Sequence, residues 1–446
     1  MSIMNIISDF EKEKCPCGKT HTAAVEKIII ENGAIGHLPK CINEYNGKKA
    51  FILADINTYN AAGEKVCRIL DEGGIQYSKY IFGEVSLSAD EKAVGCAIMH
   101  FDNNCDIIIG VGSGVINDIG KILSNTAKLP YIIVATAPSM DGYASGTSSM
   151  SLDALKVSLT SKCANVIIGD IDIMKNAPLN MLKAGLGDMM AKYVSICEWK
   201  FSNVITGEYY CERVAGLVRG AVKKCTDNAK ALLKRDDAAV RAVFEGLVLG
   251  GIAMAFTGLS RPASGVEHYF SHIWDMRELE FGTKADLHGI QCAVGTMYAA
   301  KLYDKIKNIE PDKDKALKYV SNFDYDEWSN KLRDFLGKSA ETMIELEKTE
   351  QKYSVEEHKK RLDVIVSNWD KIIGIINDEM LQPTEAEKLL KAMEMPLKAE
   401  EIGIDENIIP MTFEAAKDVR DKYVLPRLAW DLGIMDELKQ NICKAN

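Results

Sequence analysis

Residues 105–121 have the sequence CDIIIGVGSGVINDIGK, in which a short apolar run leads through three glycines into a helix-like segment. The run is rich in isoleucine, a β-branched residue that is typical of buried strands. A strand followed directly by a helix is the repeating unit of parallel α/β sheets. This stretch therefore predicts a strand–turn–helix unit in a doubly wound sheet.

Similar apolar runs occur throughout the first ~175 residues, namely KIIIENG, AFILADI, YSKYIFG, PYIIVATAPS and NVIIGDI. Helix-length segments such as YNAAGEKVCRILDEGG separate several of them. Alternation of continuous apolar strands with helices is typical of a mostly parallel, doubly wound sheet. The stretch SMSLDALKVSLT alternates in polarity and lacks helix caps, so it predicts a β-hairpin that interrupts this pattern.

The sequence pattern changes after Pro178, where segments such as DDAAVRAVFEGLVLGGIAMAFTG show helical periodicity and few strand signals. We therefore predict an α/β domain over residues 1–175 and an all-helical domain over residues 176–446. The charged stretch from Lys301 to Asp370 is interpreted as a solvated helical excursion.

Composition narrows the classes of partner. The net charge of −10 and the pI near 5.4 argue against nucleic acid or an anionic membrane surface, although a small phosphorylated substrate needs only one local cation. We expect no membrane anchor, and the N-terminus becomes charged too early for a secretory signal. Twelve cysteines in such a chain indicate reduced thiols in a cytoplasmic protein.

Three of the seven histidines, His268, His272 and His288, fall in the segment SGVEHYFSHIWDMRELEFGTKADLHG. Upstream, Asp188 lies in the apolar segment GLGDMMAKY. An Asp, an i/i+4 His pair and a third His suit a divalent metal site that leaves one position open for catalysis. The alternative is a set of hydrogen-bonded core histidines.

A second group of potential ligands, Cys15, Cys17 and His21, lies in CPCGKTH. It suggests a small metal knuckle or a redox pair. However, Cys-x-Cys is tighter than the usual Cys-x2-Cys spacing, and no fourth ligand is near in the sequence. The spacing favours a buried turn with inert thiols.

The glycine-rich turn offers Gly110, Gly112 and Gly114 between strand and helix. Glycines there let backbone amides approach a pyrophosphate, and the helix N-terminus adds partial positive charge. Tight turns also need glycine for geometry alone. The Gly-Lys-Ser/Thr ending of a P-loop is absent from the sequence, which argues against nucleoside triphosphate hydrolysis.

Polar residues follow two other strands. ATAPSMDGYASG supplies Thr136, Ser139, Asp141 and Ser145, which suit a nicotinamide carboxamide, a phosphate or a polyol, or only a turn rich in small residues. Asp55 ends AFILADINT and suits a ribose diol, or only a helix N-cap. Asp55 precedes the glycine-rich turn, unlike the acid of the ordinary dinucleotide fingerprint.

Taken in order, GVGSGVIND, TAPSMDGYAS, GLGDMMAKY, SRPASGVEHYFSH and LHG resemble the motifs of the sn-glycerol-1-phosphate dehydrogenase family. That family belongs with glycerol dehydrogenase, the iron-containing alcohol dehydrogenases and dehydroquinate synthase. CPCGKTH also resembles the bacterial branch, whereas beyond residue ~300 only the helical character agrees. The resemblance implies a dehydroquinate synthase-like fold.

The resemblance also implies residue roles. Asp188, His268 and His288 would hold the metal, and dehydroquinate synthase has Glu at the position of Asp188. Asp141, Asp188 and His272 would face the substrate. The cofactor would be bound by Asp55, Gly114, Val115, Ile116, Asn117, Asp118, Thr136, Ala137, Pro138, Ser139 and Ser145.

The activity implied is reversible, metal-dependent reduction of dihydroxyacetone phosphate to sn-glycerol 1-phosphate, in glycerophospholipid metabolism. We expect a preference for NADH with NADPH usable, nickel or zinc as the metal with iron also permitted, and a homodimer or larger assembly.

One alternative is a glycerol or other polyol dehydrogenase of the same superfamily, which needs no cation for a substrate phosphate; Arg261 and Lys192 are the candidate cations. The other is a non-enzymatic nucleotide-binding relative, against which the retained metal ligands and His272 argue.

Overall fold

The structure is a computed structural model that describes residues 2–84, 86–153 and 155–443. The chain forms two compact units. The first comprises Met1–Met189 with Arg213–Leu259, and the second comprises Met190–Glu212 with Ser260–Asn446. The domain boundary at residue 175 stays a prediction.

Every apolar run singled out in the N-terminal sequence forms a strand. The strands are β1 (Lys27–Glu31), β2 (Lys49–Asp55), β3 (Gln76–Phe82), β4 (Ile107–Gly112), β5 (Tyr131–Ala135), β6 (Thr147–Leu152), β7 (Leu155–Thr160) and β8 (Val166–Asp170). A six-stranded sheet has the order β1-β8-β5-β4-β2-β3, and all of its pairs are parallel. Strands β6 and β7 form the predicted antiparallel hairpin. The predicted fold class is confirmed.

Strand order explains where a ligand can enter. From β2 the chain moves outward to β3, whereas from β4 it moves to β5 on the opposite side. The neighbouring strands β2 and β4 therefore flank a topological switch point, with Leu53 paired to Gly110. Ligands of open α/β sheets bind outside the carboxyl ends of the strands at such a point. Here those ends carry Asp55 and the glycine-rich turn.

The central strands β4, β5 and β8 are buried at every residue. A parallel sheet covered on both faces excludes water from both sides of each strand. This is why these segments are apolar in the sequence except at Asp170, the last residue of β8.

Helices occupy most of the remaining described chain. Up to residue 257 they are α1 (Ile3–Lys12), α2 (Leu38–Glu44), α3 (Ile56–Thr58), α4 (Glu64–Glu72), α5 (Glu91–Met99), α6 (Gly114–Ala127), α7 (Ile171–Met174), α8 (Leu179–Met190), α9 (Lys192–Thr206), α10 (Glu212–Asp227), α11 (Ala229–Leu232) and α12 (Asp237–Thr257). Helix α9 belongs to the second unit.

The second unit is otherwise built from α13 (Val266–Phe281), α14 (His288–Ile306), α15 (Lys313–Ser321), α16 (Tyr325–Leu336), α17 (Ser339–Glu350), α18 (Val355–Ser367), α19 (Trp369–Glu379), α20 (Pro383–Ala392), α21 (Ile409–Ala416), α22 (Leu425–Asp431) and α23 (Met435–Asn441). The charged stretch from Lys301 to Asp370 is helical, as predicted. Its surface carries exposed ion pairs such as Lys360–Glu356 at 3.0 Å, a type that contributes little stability.

Helix α12 is long and apolar enough to cross a membrane by length and composition, with a mean hydropathy of 1.7 over its most apolar window. That window is 72% buried inside the structure, so α12 is a core helix. Its start is capped by Asp236, whose carboxylate accepts hydrogen bonds from the amides of Ala238 and Ala239.

Candidate active site

Three imidazoles converge within the second unit. His268 and His272 lie one turn apart on α13, and His288 is the first residue of α14. The ring centroids of His268 and His288 are 5.0 Å apart, and that of His272 lies 6.4 Å and 5.9 Å from them. The structure thus brings together the three histidines singled out in the sequence.

Close packing of α13 on α14 makes this convergence possible. A β-carbon on Gly295 of α14 would lie 2.7 Å from the carbonyl oxygen of Glu267, too close for any larger residue without movement. Gly295 therefore lets the two helix backbones approach at the level of His268.

Buried hydrogen bonds orient two of these rings. The Nδ1 atom of His268 lies 2.7 Å from the Glu267 carboxylate, which is fully buried. The Nδ1 atom of His288 lies 2.9 Å from the Ser271 hydroxyl. A proton on Nδ1 leaves Nε2 with a lone pair, the form in which imidazole binds a metal. The sequence analysis missed Glu267, although an acid directly before a candidate ligand was a usable signal.

A second buried carboxylate, Glu198 on α9, accepts hydrogen bonds from the amides of Val266 and Leu425 and from the Tyr303 hydroxyl. Burial, with the neighbouring Glu267 carboxylate, raises the pKa of Glu198 to about 8. Protonation of Glu198 removes the repulsion between the buried carboxylates of Glu198 and Glu267 at the start of α13.

Cys292 is a further residue that the sequence analysis missed. Its Sγ atom lies 3.6 Å from Nε2 of His288, and its thiol with His268 and His288 forms a cluster of potential ligand atoms within 4.8 Å of one another. Burial would raise the pKa of this thiol, but interactions with His268 and His288 lower it below its ordinary value. The signal available in the sequence was the i+4 spacing from His288 to Cys292 on one helix face.

Asp188 and Asp141 are joined within the first unit. Asp188 is fully buried on α8, and its Oδ2 atom accepts a hydrogen bond of 3.0 Å from the Asp141 amide. A β-carbon on Gly185 would lie 1.8 Å from the carbonyl oxygen of Pro138, so only glycine lets α8 approach this loop. Gly251 of α12 has the same role, since its β-carbon would lie 2.8 Å from the carbonyl oxygen of Asp141.

The glycine-rich turn leads into α6, whose first amide groups have no partner within the helix. Among the described residues, the side chain of the N-cap Ser113 makes no capping hydrogen bond to them. The start of α6 comprises Gly114, Val115 and Ile116, and it lies at the switch point of the sheet. These amides and the helix dipole suit a pyrophosphate.

Other residues proposed for the cofactor make contacts inside the first unit. Asn117 donates a hydrogen bond to the carbonyl of Gly142 at 3.2 Å, and Asp118 pairs with Lys121 at 2.9 Å. The hydroxyl of Ser145 donates to two carbonyls of its own loop. The Asn117 bond holds α6 against the loop that also includes Thr136, Ala137, Pro138 and Ser139.

Asp55 is a helix N-cap in the structure. Its Oδ1 atom accepts hydrogen bonds from the amides of Asn57 and Thr58 at 2.8 Å and 2.9 Å, and Thr58 completes a capping box. These bonds use Oδ1 alone, so a cap and a ribose contact through Oδ2 are compatible.

The two candidate phosphate cations differ in surroundings. Arg261 is buried, and its guanidinium makes a two-pronged ion pair with Glu208 at 2.6 Å and 2.5 Å and donates to the Tyr423 carbonyl. It therefore has a structural role within the second unit. Lys192, the other candidate, is fully buried at the first position of α9.

Comparison with known proteins identifies the family of the chain. Residues 29–178 match the family described as Iron-containing alcohol dehydrogenase. A protein of Halalkalibacterium halodurans named Glycerol-1-phosphate dehydrogenase [NAD(P)+] is 27% identical over 416 residues, which is 92% of this chain and 94% of the relative. The protein of the same name from Bacillus velezensis is 32% identical, covering 69% of this chain and 79% of the relative.

Among solved structures, glycerol dehydrogenase from Schizosaccharomyces pombe matches 97% of this chain and 93% of its own, with a TM-score of 0.62 and 18% identity. At that identity the match shows the fold. The sequence relatives show that the chain belongs to the glycerol-1-phosphate dehydrogenase family, a group of oxidoreductases within the iron-containing alcohol dehydrogenases.

Proposed function

We propose that this protein catalyses the reversible reduction of dihydroxyacetone phosphate to sn-glycerol 1-phosphate with NADH or NADPH. The observation that carries the proposal is the convergence of His268, His272 and His288 in a chain whose sequence relatives are named for this activity. Oxidation of NADH by the purified protein with dihydroxyacetone phosphate, compared with dihydroxyacetone, tests it.

The proposal assigns one divalent metal ion to Asp188, His268 and His288, with nickel or zinc favoured and iron also permitted. Two imidazoles whose Nδ1 atoms are engaged elsewhere, and a fully buried carboxylate, are a suitable donor set for these ions. When bound, the metal supplies Lewis-acid polarisation of the substrate carbonyl.

The protein's own groups position the substrate and supply the proton. We assign Asp141 to a substrate hydroxyl, because its backbone is held against Asp188. His272, one turn beyond His268, is assigned the transfer of a proton to the oxygen at C2 while NADH supplies the hydride. The reaction balances as ketone, hydride and proton on one side and alcohol and oxidised cofactor on the other.

We assign the binding of the cofactor to the first unit. The amides at the start of α6 would bind the pyrophosphate, and residues 136–139 and Ser145 would line the nicotinamide side. Asp55 ends β2, next to β4, which leads into the glycine-rich turn. We therefore assign Asp55 to the adenosine ribose.

The Asp55 assignment predicts the choice of cofactor. A carboxylate near the 2′-phosphate of NADPH costs on the order of 1–4 kcal/mol, with screening favouring the low end. We expect the wild type to prefer NADH by roughly tenfold in kcat/KM, since ~1.4 kcal/mol corresponds to that factor. Asp55→Ala should weaken the binding of NADH and remove the repulsion that opposes the binding of NADPH.

Asp55→Asn is the control for this experiment, because it keeps an oxygen that can cap α3 while removing the charge. Thermal unfolding of both variants separates the loss of the cap from the loss of charge. Two results would show that Asp55 serves only as a helix cap. One is a wild type that prefers NADPH, and the other is an Asp55→Ala variant with an unchanged ratio of kcat/KM for NADH to kcat/KM for NADPH.

The contact between Glu267 and His268 predicts metal affinity. Glu267→Gln replaces the charged acceptor of the imidazole proton with a neutral one, so the ring should bind metal about 10- to 100-fold more weakly. Competition with a chelator measures this affinity. Glu278→Gln, the same change at an exposed position of α13, should leave it unchanged. Equal affinities in the two variants would remove Glu267 from the site.

A glycerol or polyol dehydrogenase activity is the second candidate. The ion pair of Arg261 with Glu208 favours it, because that pair occupies one of the two cations proposed for a substrate phosphate. Comparable kcat/KM for dihydroxyacetone and its phosphate would support this candidate.

A further inference from the structure

The segment CPCGKTH folds as a tight turn directly after α1. The amide of Gly18 donates a hydrogen bond of 3.0 Å to the carbonyl of Cys15, which closes a turn with Pro16 at its second position. Proline there presets the backbone angle that such a turn needs, and Gly18 follows with a positive φ of 84°. The turn brings the thiols of Cys15 and Cys17 to one place.

His21 completes this cluster. Its Nε2 atom lies 3.4 Å from the Sγ atom of Cys17, and the potential ligand atoms of Cys15, Cys17 and His21 all lie within 4.8 Å of one another. His21 is fully buried and Cys15 nearly so. Two thiols and one imidazole therefore lie close enough together to bind one metal ion.

The protonation of His21 is set by its other nitrogen. Nδ1 lies 2.9 Å from the carbonyl oxygen of Phe256, and a carbonyl can only accept, so the proton is on Nδ1. Nε2 therefore presents its lone pair to the thiols. A histidine fixed in this way by a backbone carbonyl is the usual second-shell arrangement of a metal ligand.

The surroundings of the cluster are aromatic. The rings of Phe10 and Phe256 stack at 4.7 Å, and each lies 5.7 Å from the His21 ring. The guanidinium of Arg213 lies 4.0 Å from the centroid of the Phe10 ring and is paired with Glu13. An apolar shell of this kind excludes water from a site that has no substrate to admit.

Chain connectivity indicates a fourth ligand. Cys211 is a buried cysteine that precedes Arg213 by two residues, and Arg213 contacts the ring of Phe10 next to His21. We propose that Cys15, Cys17 and His21 bind a structural zinc ion, with Cys211 as the fourth ligand, at a site separate from the catalytic metal. Three thiolates and one imidazole are a standard tetrahedral set for zinc.

The structure explains what such a site would do. Each thiol that binds zinc releases its proton to solvent, and no redox change accompanies the exchange. Four protein ligands leave no open position for a substrate, so the ion would stabilise the fold. It would fasten the segment after α1 to the end of α12, where Phe256 lies. This proposal adopts the metal-knuckle alternative instead of the inert buried turn that the spacing favours, because the carbonyl-fixed tautomer of His21 is not visible in the spacing.

Metal content of the full-length purified protein tests the proposal. We expect about one equivalent of zinc that is retained in His268→Ala and lost in Cys17→Ser and His21→Asn. Cys96→Ser is the matched control, because Cys96 has a similar partial exposure in the same unit but lies outside the cluster. Zinc that disappears with His268→Ala and is unaffected by Cys17→Ser would overturn the proposal.

Cobalt substitution gives a readout that is independent of activity and that the wild-type protein alone can provide. Cobalt added to metal-depleted protein should produce thiolate-to-cobalt charge-transfer absorption and the visible bands of tetrahedral cobalt. These bands should persist in His268→Ala/Cys292→Ser, which removes the thiol beside the catalytic histidines, and should weaken in Cys211→Ser. Absence of thiolate bands in the wild type, or a Cys15–Cys17 disulfide found by mass spectrometry in their place, would refute the site. Turnover measured on the same samples tests the proposed function separately.

Discussion

Replacement of His268 by alanine is expected to abolish turnover while leaving the fold largely intact. His268 is one of the two imidazole ligands proposed for the catalytic metal, and its Nδ1 atom is held by Glu267. Metal polarisation of a carbonyl is worth several kcal/mol in the transition state. Since each ~1.36 kcal/mol is a factor of ten in rate, we expect kcat to fall by roughly 10³-fold or more.

Three measurements on His268→Ala separate loss of chemistry from loss of structure: kcat, bound metal, and the circular dichroism melting curve. His358→Ala is the matched control, because His358 is also a buried histidine of the second unit but bonds to the carbonyl of Asp431. That variant should lose stability and keep its metal. If His268→Ala retains both metal and turnover, the assignment of His268 is wrong.

The strands were predictable because burial on both faces leaves a direct trace in the sequence. β4, β5 and β8 are buried at every residue, so each appears as an apolar run. The order of the strands leaves no such trace. The switch point between β2 and β4 depends on which way each connection crosses the sheet.

The histidine cluster was predictable in part. The i/i+4 spacing puts His268 and His272 on one helix face, but the approach of His288 depends on the packing that Gly295 permits. Cys292 follows His288 by one turn of α14, which the spacing shows, but its approach to His268 depends on the same packing. The contacts between the two helices are not encoded in local spacing.

Arg261 shows the limit of local reasoning most directly. Its position seven residues before His268 suggested a substrate phosphate, but its partner Glu208 is 53 residues earlier in the chain. Asp55 is the opposite case, since the cap predicted as an alternative is present in the structure. Caps are local, whereas a buried ion pair depends on tertiary packing.

The substrate phosphate should produce the second large effect. We expect kcat/KM for dihydroxyacetone phosphate to exceed that for dihydroxyacetone by roughly 10²- to 10³-fold, since losing one partner of a buried charged contact costs about 2–5 kcal/mol. We propose Lys192 as the cation that binds this phosphate. It is fully buried, and as the first residue of α9 it adds its charge to the positive end of that helix.

Lys192→Met keeps the volume of the side chain and removes its charge, so it should lower kcat/KM for the phosphorylated substrate and leave dihydroxyacetone almost unaffected. Lys200→Met is the matched control, because it makes the same change on the same helix at a lysine that pairs with Glu379 of α19 at 2.7 Å. In Lys200→Met, the ratio of kcat/KM for dihydroxyacetone phosphate to kcat/KM for dihydroxyacetone should equal that of the wild type. A wild type that reduces both substrates equally would indicate a glycerol dehydrogenase. Loss of an ammonium group that binds the phosphate must weaken the reaction of dihydroxyacetone phosphate and not that of dihydroxyacetone. A phosphate preference that survives in Lys192→Met would therefore assign the phosphate to another cation.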